Sequence, residues 1–313
     1  MVELKILEPF LEHRGIVMLD GGQATELERR GADLNHHLWS AKMLIEAPEM
    51  IRQVSQDYLK AGADIIATVT YQASFEGFEK AGIGRARASN LMQLSVELTV
   101  QARDMFWSSH ENHLGRLRPL VAASIGPYGA CLADGSEYHG DYGLDKKALI
   151  EFHRPRMAEL AYSDADLFAF ETIPSKLEAE ALIELLAEFP QRKAWLSFSC
   201  RDGENVCHGE PFVDCAALVA TSKQIIAVGV NCTSPQYVIP LLDSAQDINK
   251  PLIAYPNKGE KWLAGENRWS GAACELQDAT AWYGAGARVI GGCCRTTPDD
   301  IARMRTELFA LLE

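Results

Sequence analysis

No apolar run in this 313-residue chain approaches the roughly 18 residues that a membrane-crossing helix needs, so a helical membrane protein is excluded. Basic clusters are missing too. Its 30 lysines and arginines are outnumbered by 43 aspartates and glutamates, for a net charge of −13. That surface repels the phosphate backbone of nucleic acid and is compatible with a cationic small substrate. The opening stretch, with Glu3, Glu8 and Glu12, lacks the basic start and apolar centre of an export signal. A cytoplasmic setting is therefore expected, and the eight cysteines are read as thiol or metal chemistry rather than a disulfide framework. No low-complexity linker or composition break divides the chain, so residues 1–313 are expected to form a single domain. The eight histidines (13, 36, 37, 110, 113, 139, 153 and 208) avoid the ends of the expected strands and are read mostly as surface or loop residues. A barrel metallohydrolase would need histidines at those ends.

What is present is a repeating apolar pattern. Short β-rich runs are expected at 16–20, 64–70, 119–124, 166–171, 194–199, 225–230, 252–255 and 288–290. Helical spacing lies between them, at 25–30, 48–61, 85–110, 145–162, 175–189, 214–222, 235–244, 274–284 and 298–312. Pro155 is a possible kink, Ser175 with Glu178 reads as a capping box, and Thr297 caps a helix opened by Pro298. Strands apolar on both faces belong in parallel sheet covered by helices. Eight such units predict a (β/α)8 barrel, with an open doubly wound sheet as the alternative.

In such barrels the chemistry sits at the C-terminal ends of the strands. Those positions hold Asp20, Thr68, Thr70, Ser124, Glu171, Ser199, Cys200, Asn231, Cys232, Asn257, Cys293 and Cys294. Cys232 ends the sixth strand, and Cys293-Cys294 follow Gly291-Gly292 at the end of the eighth. Three thiols from two strand ends predict a metal site with one open position; core cysteines with an accidental neighbour are the plain alternative. A disulfide between the vicinal pair would be strained. Cys131, Cys200, Cys207, Cys215 and Cys274 are read as core or loop thiols. Soft thiolates suit zinc. A three-thiolate site is a poor generator of hydroxide and better suited to holding a fourth, nucleophilic sulfur.

Two other readings stand beside this one. Asp20 and Glu171 are a carboxylate pair that fits a barrel hydrolase, or they bind an ammonium group. A structural zinc with a fourth protein ligand, Cys200 or a tyrosine, would make a module with no chemistry. The segment 126–143 carries Tyr128, Tyr138 and Tyr142 with Asp134, Glu137 and Asp141, a set suited to a cation, or simply a solvated loop.

Taken together, Asp20-Gly21-Gly22, Thr68-Val69-Thr70-Tyr71-Gln72-Ala73-Ser74, the Ser124–Ala130 and Leu132–Tyr138 runs, Phe170-Glu171-Thr172, Gly229-Val230-Asn231-Cys232 and Gly291-Gly292-Cys293-Cys294 resemble the homocysteine S-methyltransferase family. The resemblance covers nearly the whole chain and is nearest to the short enzymes that use S-methylmethionine or S-adenosylmethionine. It implies Zn²⁺ on Cys232, Cys293 and Cys294. It implies homocysteine held at its amino-acid end by Asp20, the Gly21 backbone, Thr68 and Glu171, with Trp39 near a family aromatic. Gln72 stands where the betaine-using branch has tyrosine, and that branch's C-terminal extension is missing. Betaine is therefore the less favoured donor and a monomer is expected.

Overall fold

The computed structural model describes residues 5–36, 38–259 and 279–312, with the backbone alone of 261–263 and 268–270. Eight strands form one parallel sheet: β1 (Val17–Met18), β2 (Ile65–Ala67), β3 (Leu120–Ile125), β4 (Leu167–Ile173), β5 (Ala194–Phe198), β6 (Ile225–Asn231) and β7 (Leu252–Tyr255), and β10 (Ala287–Ile290). Between the last two lies a short antiparallel hairpin of β8 (Lys261–Leu263) and β9 (Arg268–Ser270). The spatial order is β1-β10-β7-β6-β5-β4-β3-β2. A parallel bridge from Leu19 to Ile65 joins the two outer members, so the sheet closes into the expected (β/α)8 barrel.

The strands form because their residues are apolar on both faces. Val17, Ala122, Leu167, Ala169, Trp195, Ala227, Ile253 and Val289 share one cluster, which Leu7 and Phe10 of the N-terminal segment join. A far larger cluster lies between strands and helices. In helix Pro48–Ala61, proline opens the first turn, Ile51, Val54, Tyr58 and Leu59 are buried, and Gly62 at φ 111° ends it. Among the described residues no helix is long and apolar enough to cross a membrane.

Several expected details shift. Helix Lys146–Ala161 runs through Pro155 and starts at Asp145, whose side chain accepts from Ala148 N. Ser175 caps helix Lys176–Leu186, but Glu178 does not reach back to complete a capping box; its Oε1 accepts from Tyr128 N and faces His153. The reciprocal box forms instead between Thr297 and Asp300, at the start of helix Pro298–Leu312. Segment 126–143 is not a solvated loop. It contains helix Tyr128–Leu132 and a turn at Ser136–Tyr138. Of the expected helix at 274–284, Ala279–Gly284 is seen, and residues 274–278, Cys274 included, lie outside the described residues.

Candidate metal centre and substrate cavity

Cys232 and Cys293 both hang from the end of β7, the strand between their own. Cys232 N donates to Tyr255 O (3.4 Å) and Cys293 N to Pro256 O (2.9 Å). This shared support is what brings positions 61 residues apart together. The Sγ atoms of Cys232 and Cys293 are 2.7 Å apart, Cys232 and Cys294 3.7 Å, Cys293 and Cys294 4.0 Å. All three are free thiols. Among the described residues no fourth histidine, cysteine, aspartate or glutamate joins the group, and Cys200 stays apart from it.

The group can hold a metal ion. Zinc bonded to tetrahedral sulfurs at about 2.3 Å sets them about 3.8 Å apart, which two of the three separations match. The third, Cys232 to Cys293, must widen. Hydrogen bonds from Cys293 and Cys294 hold the Cys232 thiol well below its ordinary pKa, so the group favours a thiolate.

The three thiols lie in the wall of a cavity of about 710 Å³. Asp20, Gly21, Thr68, Glu171 and Trp39 line it as well, with Ser124, so the structure brings the expected metal and homocysteine residues into one space; Thr70, Ser199, Cys200, Asn231 and Asn257 of the strand ends do not line it. Asp20 Oδ2 accepts from Ala67 N (2.8 Å) and Gln23 Nε2 (3.0 Å). Glu171 is the one residue of β4 not fully buried. Its Oε1 accepts from Ser124 Oγ and its Oε2 from Tyr255 OH (3.2 Å). Thr70 Oγ1 donates to Ser124 O (2.7 Å), so the 2.6 Å contact between the two threonine hydroxyls uses the proton of Thr68. Thr68 Oγ1 therefore presents only a lone pair to the cavity, which suits an N–H donor.

Burial raises Asp20 to about 7, Glu171 to about 8 and Glu137 to about 7. Among the described residues neither lysine nor arginine lines the cavity. Three carboxyl groups without a counter-charge make a space that favours cations.

Asn231 ties this space to the sulfurs. Its Oδ1 accepts from Thr172 N (2.7 Å), which fixes the amide orientation. Its Nδ2 then donates to Thr172 Oγ1 (2.8 Å) and faces Cys293 Sγ at 3.9 Å. Ser197 Oγ bridges Asn231 Oδ1 (2.8 Å) and Tyr255 OH (2.6 Å), completing a chain from Cys293 to Glu171. Among the described residues five non-glycine ones have left-handed backbone, and four of them (Trp39, Ala133, Thr172 and Cys232) line the cavity. Strain of this kind collects at functional sites.

Segment 126–143 supplies one wall. Of its six aromatic and acidic residues only Glu137 and Tyr138 face the cavity. Tyr128 and Tyr142 pack edge-on against each other, with Phe152 beside Tyr128. Gln72 Nε2 donates to Ala130 O and Ser199 Oγ to Glu137 O, fastening the segment down. Tyr71, Tyr255, Gln23 and His36 also line the space and were not singled out from the sequence. Tyr255 ends a barrel strand, so its position carried the signal. His36 lines the cavity from an exposed bend and not from a strand end, in keeping with the reading of the histidines as surface or loop residues, whereas His153 proves fully buried rather than superficial.

Comparison with known proteins places this geometry. The sequence profile of the family described as homocysteine S-methyltransferase matches residues 17–308. The homocysteine S-methyltransferase YbgG of Bacillus subtilis (strain 168) is 50% identical over 299 residues, covering 94% of this chain and 95% of its own. The crystal structure of the homocysteine methyltransferase MmuM from Escherichia coli in its metallated form superimposes with a TM-score of 0.87. It is 44% identical and covers 96% of this chain and 99% of that one. The apo form of the same enzyme gives a TM-score of 0.78 at 39% identity over 96% and 98% of the two chains.

Proposed function

This chain belongs to the homocysteine S-methyltransferase family and is a homocysteine methyltransferase; we propose that its donor is a sulfonium, S-methylmethionine or S-adenosylmethionine, and its metal zinc. One observation carries the reading: three thiols from β6 and β10 gather within 4.8 Å in the wall of a cavity lined by carboxylates and by no described lysine or arginine.

Cys232, Cys293 and Cys294 would hold the ion, and when bound it would favour the thiolate of homocysteine at neutral pH. Asp20, Glu171 and the lone pair of Thr68 bind the ammonium end of homocysteine, with Gly21 lending backbone and Trp39 closing the side. The carboxylates attract a sulfonium and disfavour anionic ligands. Transfer forms a carbon–sulfur bond to homocysteine and breaks one in the donor. The electron pair of the broken bond stays on the departing sulfur, which leaves as a neutral thioether. No proton is needed at that step, so no side chain has to act as an acid. Much of the acceleration then comes from positioning and from the field of the cavity.

The chain acts on small molecules, as a monomer in the cytoplasm, where thiols stay reduced. The two-carboxylate hydrolase has no support beside a family match across residues 17–308. An assay of the zinc-loaded protein with homocysteine and each of S-methylmethionine, S-adenosylmethionine and betaine tests the donor. Methionine formed from either sulfonium supports the reading; methionine formed from betaine alone overturns it.

A further inference from the structure

Two amino acids have to be held if the donor is itself an amino acid, and each brings an ammonium group. Asp20 and Glu171 stand together at the ends of β1 and β4, already engaged with Gln23, Ala67, Ser124 and Tyr255. Glu137 comes from the opposite kind of element, the segment that follows β3, and its situation differs. Its Oε2 is shut off from solvent with no hydrogen-bond partner among the described residues. A carboxylate oxygen left so is costly unless a donor arrives.

The surroundings say what kind of donor. Glu137 lines the cavity beside Tyr71 and Tyr138, and burial above all, with the Glu137 charge among the lesser causes, pushes both phenols well above their ordinary values. The Trp39 ring stands edge-on to Tyr71, with centroids 6.0 Å apart. Aromatic faces around one carboxylate make a cation site. An orphaned oxygen asks for more than positive charge, because it needs an N–H. A primary ammonium supplies three, and a quaternary ammonium supplies none.

We propose that Glu137 is the anchor for the α-ammonium group of the methyl donor, and that it selects sulfonium amino acids over donors without N–H. The assignment rests on the sulfonium reading given above and adds to it a residue and a substrate group. Segment 126–143 thereby becomes the donor side of the cavity, and the rim residues Asp20 and Glu171 the acceptor side. Glu137 is placed to select: the thiols are untouched by its replacement, and the segment stays fastened through Gln72 and the Glu137 backbone carbonyl.

The test compares wild type with Glu137→Gln, both zinc-loaded, using two sulfoniums: S-methylmethionine, and dimethylsulfoniopropionate, which has a carboxylate but no ammonium. Calorimetry reads the dissociation constant of each, and of homocysteine, without turnover; steady-state rates then give KM. In the variant, binding and KM for S-methylmethionine weaken at least tenfold, while homocysteine stays within twofold. Dimethylsulfoniopropionate, followed as substrate or competitor, binds both proteins alike. Unchanged S-methylmethionine binding in Glu137→Gln, or equal weakening of both sulfoniums, overturns the proposal. Weakened homocysteine binding overturns it as well, by moving Glu137 to the acceptor side. Wild type that binds neither sulfonium sinks the donor reading itself, a result separate from any effect of the variant.

Discussion

A Cβ placed on Gly22 would stand 2.7 Å from the carbonyl oxygen of Cys293. The turn after the first strand and the turn after the last are thus in backbone contact. Two hydrogen bonds lock them: Gly292 N to Asp20 O (3.1 Å) and Gly22 N to Thr296 O (2.9 Å). The carboxylate of Asp20 and the thiols of Cys293 and Cys294 are therefore set by one rigid unit. At Gly292, likewise, a Cβ would collide with Thr296 Cγ2.

Gly22→Ala should force these turns apart. Overpacking of this kind costs about 1–3 kcal/mol. Thermal unfolding reads that loss, and metal analysis should show reduced zinc occupancy beside it. A stable, fully loaded variant would mean the close approach does not matter.

Cys294→Ser should lose bound zinc and lower turnover by a factor of about 100 or more. Chelation of wild type should do the same, and zinc should restore the wild type only. Cys215→Ala, on helix Phe212–Ala220, is the control and should keep both metal and rate. Full turnover by metal-free protein would defeat the assignment.

Asn231→Ala leaves Thr172 N and Ser197 Oγ without their acceptor and should cost roughly 2–4 kcal/mol. Asn231→Asp keeps that acceptor and turns a carboxylate oxygen toward Cys293 Sγ. Its stability should change less, while zinc affinity falls about 10- to 100-fold in a chelator competition. Equal affinities in wild type and Asn231→Asp would reduce Asn231 to a packing role.

His153 gives a pH prediction away from the cavity. Arg156 Nη2 donates to its Nδ1 (2.7 Å), so the ring proton sits on Nε2 and points at Glu178 Oε1 (2.8 Å). Burial first, and Arg156 second, hold its pKa down at about 4 from 6.5. The unfolded chain then binds the extra proton more readily than the folded one. Stability is complete above about 6.5 and is lost as pH falls toward 4, by up to roughly 3 kcal/mol. His153→Gln keeps both hydrogen bonds without titrating. Urea unfolding across that range should show a flatter curve for the variant, and parallel curves would refute the assignment.

How much of this was legible beforehand differs from element to element. The eight strands show in the sequence because each is a short run apolar on both faces, and their ends moved by only a few residues. Asp20, Thr68 and Glu171 show because barrel strands point their last side chains into one mouth. Tyr255 escaped notice because an aromatic at a strand end reads equally well as core, and Tyr71 showed only as part of a family run, without a role of its own. Glu178 misled because Ser175 and Glu178 have the spacing of a capping box, while a buried histidine 25 residues earlier offers the carboxylate a better partner. The 126–143 segment was undecidable in sequence, since glycine-, tyrosine- and aspartate-rich stretches serve as solvated loops and as packed walls alike.

The order of residues alone determined the barrel, the family and the three sulfurs, because periodicity and motif are properties of a linear chain. Only the folded chain decided that β7 would carry Cys232 and Cys293 to within 2.7 Å, and that Asn231 would connect them to Glu171. It alone left Glu137 with an oxygen that has no partner among the described residues. Such facts depend on distances between groups far apart in sequence, and on which buried polar atoms find partners once packing has removed the water.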